Sequence, residues 1–249
     1  MKVKNEWHKD FFKNSFYNPA SKISIQRAPS EVSFILKQLK LKKKATILDL
    51  CCGPARHSLV LVKKGFSVTG YDFSKEYLKE AQEKAKKLKL NINLICGDMR
   101  KLKFKNEFDA ALNLFTSFGY FKKFSDDMKV LKGINSALKP KGLFMMDIVN
   151  GDWVKKNFRE KNWQLLENNT YHLEEVTVFK DGLINEWTRI SKNGKTQRKS
   201  FFTRLYNKKT LSTALKKAGF KPLKFWGSFK GAKLSDKTAR LIVLAQKMP

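Results

Sequence analysis

Cys51 and Cys52 stand side by side in the stretch "ILDLCCGPARH", two residues after Asp49 and shortly before His57; the third cysteine, Cys96, is remote. A zinc site needs at least three ligands with turns of chain between them, commonly as C-x2-C pairs. Adjacent cysteines with one distant histidine do not supply that set, so no metal site is expected. A redox pair would use C-x-x-C, which is absent. What remains is that Cys51 serves as a small residue where the backbone passes close to a ligand. The register agrees, since Asp49, Cys51, Gly53 and Ala55 fall at alternate positions. A G-x-G-x-x-G fingerprint would put Cys51, Gly53 and Arg56 in the glycine slots, so a dinucleotide fits badly.

These residues need a frame that brings strand ends together. Apolar runs predict strands at Thr46–Leu50, Phe66–Tyr71, Ile92–Cys96, Ala110–Leu114 and Leu143–Val149, with helical periodicity between them. Glu31–Leu41 reads as a helix with Pro29 just inside its start, and Ser74 caps the helix "KEYLKEAQEKAKKL". Repeated strand–helix–strand units imply a doubly wound, mostly parallel seven-stranded α/β sheet with helices on both faces. From Trp163 to Tyr206 the period changes to alternation, with turns at "KDG" and "KNG", which predicts an inserted antiparallel β lid. The expected organisation is an N-terminal segment and core over 1–150, the lid over 151–206, and a final helix and two strands over 207–249.

With 249 residues the chain is long enough for one such domain with an elaboration. No run approaches eighteen apolar residues and the start lacks a signal peptide's pattern, so a cytoplasmic chain without membrane spans is expected. The formal charge is +30. Most of the excess is spread evenly, as on solvated helix faces. The last fifty residues differ, with twelve Lys and Arg against one acid, Asp236. A polyanion such as RNA could meet that segment.

Taken in order, the motifs resemble those of class I S-adenosylmethionine (SAM)-dependent methyltransferases. "DLCCGPA" is similar to the family's first motif, D/E-x-G-x-G-x-G, with Cys51 and Ala55 in place of two glycines. "VTGYDFS" ends the second strand with Asp72, nineteen residues after Gly53, where an acid can accept both ribose hydroxyls. "CGDMRKL", "FDAALNLFTSFGYF" and "LKPKGLFMMD" resemble the later motifs, the last with Lys141 in place of a glycine. The resemblance implies a cofactor-binding set of Arg27, Asp49, Cys51, Gly53, Ala55, Arg56, Asp72, Phe73, Asp98, Met99, Arg100, Asn113 and Phe115. In the family Asp98 and Met99 would meet the adenine, and a basic residue near Arg27 would pair with the methionine carboxylate. The product would be S-adenosylhomocysteine. Ala55 is expected at ordinary negative φ.

An antiparallel insertion and an aromatic N-terminus ("FFKNSFYNP") resemble the small-molecule N-methyltransferase branch, implying a small polar amine or hydroxyl acceptor. Tyr17 and Tyr120 are candidates to cover the sulfonium, because aromatic faces attract a cation. Phe12 is expected to pack instead. Arg204 and Tyr206 share one face of the last lid strand and could orient the acceptor or pair with Asp147. The expected acceptor lining is Phe115, Ser117, Tyr120, Asn150, Trp153, Arg204 and Tyr206, under the lid, with His172 on the lid surface. Two other readings stay open: an RNA methyltransferase using the basic C-terminal face, and a non-catalytic SAM-binding protein. The oligomeric state is left open.

Overall fold

The computed structural model describes residues 3, 7, 11–12, 16–17, 19, 21–166, 168–179 and 181–249. Seven strands form the main sheet: β1 (Thr46–Leu50), β2 (Ser67–Asp72), β3 (Asn93–Cys96), β4 (Phe108–Asn113), β5 (Leu138–Val149), β10 (Phe220–Trp226) and β11 (Arg240–Lys247). Their spatial order is β10-β11-β5-β4-β1-β2-β3. The β1–β2, β1–β4, β2–β3 and β4–β5 pairs are parallel, whereas β11 runs antiparallel to both β5 and β10. The chain winds outward from β1 to β3 and then restarts at β4 on the other side. That reversal opens a crevice at the carboxyl ends of β1 and β4, where open α/β sheets bind ligands.

The strands read as continuous apolar runs because both sheet faces are covered. On one face Leu48 and Leu50 pack with Val130, Leu131 and Ile134 of α4 (Phe124–Ala137) and Leu211 and Leu215 of α6 (Lys208–Lys217). On the other, Ile47 packs with Val32 and Ile35 of α1 (Lys22–Leu39) and Leu61 of α2 (Arg56–Lys63). Ser74 caps α3 (Lys75–Lys87), its hydroxyl accepting from the Tyr77 N–H.

Helix α1 begins nine residues earlier than its apolar period suggested, and Pro29 lies inside it rather than near its start. The Ser21 hydroxyl caps the helix by accepting from the Ser24 N–H at 3.3 Å. The added turns are mostly exposed, Ile23 and Ile25 included, so they carry no buried stripe from which a period could be read.

The insertion after β5 comprises a short helix, α5 (Gly151–Asn157), and a four-stranded antiparallel sheet in the order β6-β7-β8-β9. These strands are β6 (Lys161–Leu165), β7 (Tyr171–Phe179), β8 (Gly182–Ile190) and β9 (Thr196–Arg204). The aromatic N-terminal residues lie against this sheet. The Phe11 ring is 4.7 Å from Phe201 and 5.4 Å from Trp187, and Trp7 meets Tyr120 edge-on at 5.2 Å. His172 is buried within the insertion, bonded to Glu174 at 3.1 Å and set edge-on against Trp187, rather than placed on its surface.

Candidate active site

The turn after β1 is built on three left-handed residues: Cys51 (φ 61°), Gly53 (φ 55°) and Ala55 (φ 60°). They occupy the three glycine positions of the motif, so the turn keeps its backbone shape although two glycines are replaced. Ala55 therefore departs from the negative φ expected of it. A left-handed alanine costs about 1–2 kcal/mol. It is fully buried at the start of α2 and does not line the cavity above the turn.

That cavity is lined at its base by Asp49, Cys51, Gly53, Arg56, Asp72 and Asp98. Asp49, next to last in β1, accepts the Ser58 hydroxyl proton at 2.5 Å. Asp72 ends β2, and its two oxygens accept from the Gly53 and Ser74 backbone N–H groups, each at 2.8 Å. Burial raises the pKa of both carboxyls above the ordinary range. Asp98 follows β3 beside Gly97, where a Cβ would sit 1.9 Å from the Tyr71 hydroxyl. Three carboxylates thus face one guanidinium in the wall of a cavity within a chain of charge +30. That balance suits a cationic ligand.

The thiols fit no nucleophilic role. Burial, reinforced by neighbouring carboxylates, pushes Cys51 and Cys52 well above the usual thiol range. The Cys51 sulfur instead lies 3.5 Å from the Met99 sulfur, in the cavity wall. Among the described residues there is no group of three or more potential metal ligands.

Aromatic residues line much of the rest, among them Phe12, Tyr17, Phe73, Phe115, Tyr120 and Phe121. The carbonyl of Tyr17 accepts the Tyr77 hydroxyl proton at 2.7 Å, tying the N-terminal segment to α3. Burial raises the Tyr17 and Tyr120 phenols, so both stay protonated at neutral pH. Phe115 and Thr116 are consecutive left-handed residues. Asp147 holds this bend, accepting from the Phe115 N–H with its side chain and the Thr116 N–H with its carbonyl, each at 2.9 Å. Arg240 secures Asp147 with bonds of 2.8 and 2.6 Å.

Several residues singled out from the sequence lie elsewhere. Arg27 is exposed on α1 and does not line the cavity. Arg100 turns back onto Asp98 in a fork of 2.5–3.0 Å bonds and covers the Phe121 ring, outside the cavity wall. Asn113 is buried behind the turn, donating to the Leu50 carbonyl at 3.2 Å. Arg204 and Tyr206 share a partner, but it is Asp127 rather than Asp147: Nε of Arg204 and the Tyr206 hydroxyl donate to Oδ2 at 2.9 and 2.7 Å. Neither reaches the cavity, nor do Asn150, which caps α5, and Trp153. The lid strands contribute nothing to the wall either; Phe12, Tyr17, Pro19 and Ser24 of the N-terminal segment come between. Phe12 is thus a lining residue as well as a packing one. Pro19, Tyr77 and Phe121 lie within stretches read from the sequence but were not singled out there, and Ser24 lies outside every motif.

The residues present fit SAM: carboxylates for a ribose and for positive charge, a guanidinium for a carboxylate, and aromatic faces for a sulfonium. A methyltransferase-domain profile matches residues 47–142. YqeM of Bacillus subtilis strain 168, named as a methyltransferase without an acceptor, is 28% identical over 84% of this chain and 87% of its own. A glycine/sarcosine N-methyltransferase of Halorhodospira halochloris is 33% identical over 51% of this chain and 48% of its own. A demethylmenaquinone methyltransferase of Staphylococcus carnosus is 36% identical over 44% and 45%. The chain spans about half the length of these last two relatives. The structure of a SAM-dependent methyltransferase from Clostridium acetobutylicum superposes with a TM-score of 0.80 at 20% identity, covering 92% of this chain and 94% of that one. Sheet order, the turn after β1, the carboxylates at the strand ends and these likenesses together support a class I SAM-dependent methyltransferase.

Proposed function

We propose that the enzyme methylates a small polar acceptor, an amine or a hydroxyl compound, held beneath the N-terminal aromatic segment. The observation that carries this is the roof. Phe12, Tyr17 and Pro19 cover the cavity, and that segment is itself packed against the inserted sheet. A cover of this kind excludes water and suits a compact acceptor, whereas a polynucleotide needs an open approach. The named substrates of one relative, glycine and sarcosine, are small polar amines, in keeping with this reading.

Bound SAM supplies a methyl group made electrophilic by the sulfonium. The protein's part is to orient the reactants and exclude water. Asp72 takes the ribose hydroxyls, Asp98 and Met99 border the adenine, Asp49 offers its charge to the ammonium, and Arg56 faces the methionine carboxylate. Tyr17 and Tyr120 present aromatic faces to the positive charge. As protonated phenols they donate hydrogen bonds and do not abstract protons, so an amine acceptor loses its proton before it binds. None of the lysines in the basic C-terminal segment lines the cavity. Transfer of a tritiated methyl group from SAM, run in parallel against fractionated metabolites and total RNA, tests the proposal. Label is expected in a low-molecular-weight fraction, and label confined to RNA would overturn it.

A further inference from the structure

Glu31 projects from the inner face of α1, buried beside Val32 and Ile35. One of its oxygens, Oε2, accepts from two consecutive residues at the start of α2: Nη1 of Arg56 at 3.1 Å and Nε2 of His57 at 2.8 Å. Nη1 of Arg56 also donates to the Ser24 carbonyl in the first turn of α1, at 3.0 Å. The guanidinium carbon lies over Phe115, 3.8 Å from the ring centre, and the side chain is only 9% exposed. The His57 ring stacks on the same phenylalanine at 5.4 Å.

This arrangement uses the guanidinium unevenly. Among the described residues, both protein hydrogen bonds go to Nη1 and none is made by Nε or Nη2. The Nε–Nη2 edge of a guanidinium holds two parallel N–H groups at the spacing of a carboxylate's oxygens. Arg56 is a buried cation in the cavity wall, with one edge held by α1 and the other left for a ligand.

We infer that Glu31 is a positioning residue for the amino-acid end of the cofactor. By holding Nη1, it turns the Nε–Nη2 edge of Arg56 toward the methionine carboxylate, and its second bond, to His57, fixes the same turn of α2. The inference rests on Arg56 meeting that carboxylate, as proposed above. It adds that the discrimination for the carboxylate is set one residue further out, on a helix that precedes the cofactor motifs.

Calorimetric affinities for SAM and for decarboxylated SAM, which lacks only the carboxylate, test it. The wild type should prefer SAM tenfold or more, and Arg56→Lys, which keeps a charge but loses the fork, should bring the two ligands near parity. Glu31→Gln should reduce the preference for SAM several-fold while leaving decarboxylated SAM bound as before. Glu31→Asp withdraws the carboxylate by one methylene from both partners and should shift the ratio the same way, giving a second measure if Glu31→Gln does not fold. Equal weakening of both ligands in the Glu31 variants would assign Glu31 to helix packing and overturn the inference, as would no change in either. A wild type that binds the two ligands equally overturns it while leaving the cofactor site intact. One that binds neither overturns the cofactor site as well.

Discussion

The carboxylates under the cavity are the residues whose chemistry is most exposed to test. Asp72 accepts two backbone hydrogen bonds and still lines the cavity. Hydrogen bonds to a charged acceptor contribute about 1.5–3 kcal/mol each. Asp72→Ala should therefore weaken SAM tenfold or more by calorimetry while the fold survives; unchanged affinity would remove Asp72 from the site. The direction of the pKa shifts adds a pH dependence. In the free protein, burial raises Asp49 and Asp72, so each takes up a proton more readily than in the unfolded chain. Their contribution to free-protein stability is thus lost as pH rises through the raised values. A cationic ligand favours the ionised forms, so the thermal shift produced by SAM should grow from pH 5 to pH 8. A shift larger at pH 5 would show that these carboxyls do not face the positive charge. Lys141, exposed at φ 61°, replaces a glycine of the family pattern. Lys141→Gly should relieve about 1 kcal/mol of backbone strain, read as a higher urea midpoint.

At the scale of elements, the inserted sheet is joined to the core through Arg204 and Tyr206. Besides their bonds to Asp127 on α4, Nη2 of Arg204 donates to the carbonyls of Phe121 and Lys122, and its backbone N–H to that of Gly119. These residues belong to the loop that carries Tyr120 to the cavity, so the end of β9 sets where that loop lies. Asp127 is fully buried, and burial outweighs its two donors and raises its pKa to about 6. Because the folded value is raised, the stability contributed by this group is present at low pH and lost as pH rises from about 4 to about 6. At 1.36 kcal/mol per pKa unit the loss is about 3 kcal/mol. Denaturation of wild type and Asp127→Asn at pH 4 and pH 7 should show the wild type losing that much more than the variant across the interval. Parallel pH profiles would mean that Asp127 titrates normally.

For the whole molecule the question is what the charge of +30 is for. In the last fifty residues Arg204 pairs with Asp127, Arg240 with Asp147, and the one acid, Asp236, with Lys156. Lys221 and Lys224 lie on β10, an edge strand of the main sheet, where lysines also guard against edge-to-edge pairing. The cavity opens at the other part of the sheet, around β1, β2 and β4. Simultaneous charge reversal of Lys216, Lys217, Lys221 and Lys224 should therefore leave methyl transfer to the small acceptor within about twofold, with little salt dependence. Phosphate-driven binding would instead fall by orders of magnitude between low and physiological salt. Loss of transfer in the reversed variant would make this face the substrate platform.

The sheet and the base of the cavity were legible in the chain. A buried parallel strand is a local apolar run, and the turn after it is marked by an acid and small residues at alternate positions. Asp49, Cys51, Gly53, Asp72 and Asp98 stand at the ends of such runs, so their place follows from local order alone. The substitution at Ala55 misled only about backbone conformation, since tertiary packing holds it, like Cys51, at positive φ despite the strain. Tertiary structure decided which arginine lines the cavity, what roofs it and what Arg204 binds. Arg27 and Arg56 are equivalent as sequence; only the folding of α1 over α2 brings Glu31, twenty-five residues away, against Arg56 and leaves Arg27 in solvent. Arg204 meets Asp127 across seventy-seven residues, and Tyr120 meets Trp7 through a segment with no regular period. Those contacts depend on how separate elements stack, and neither residue type nor spacing along the chain encodes that geometry.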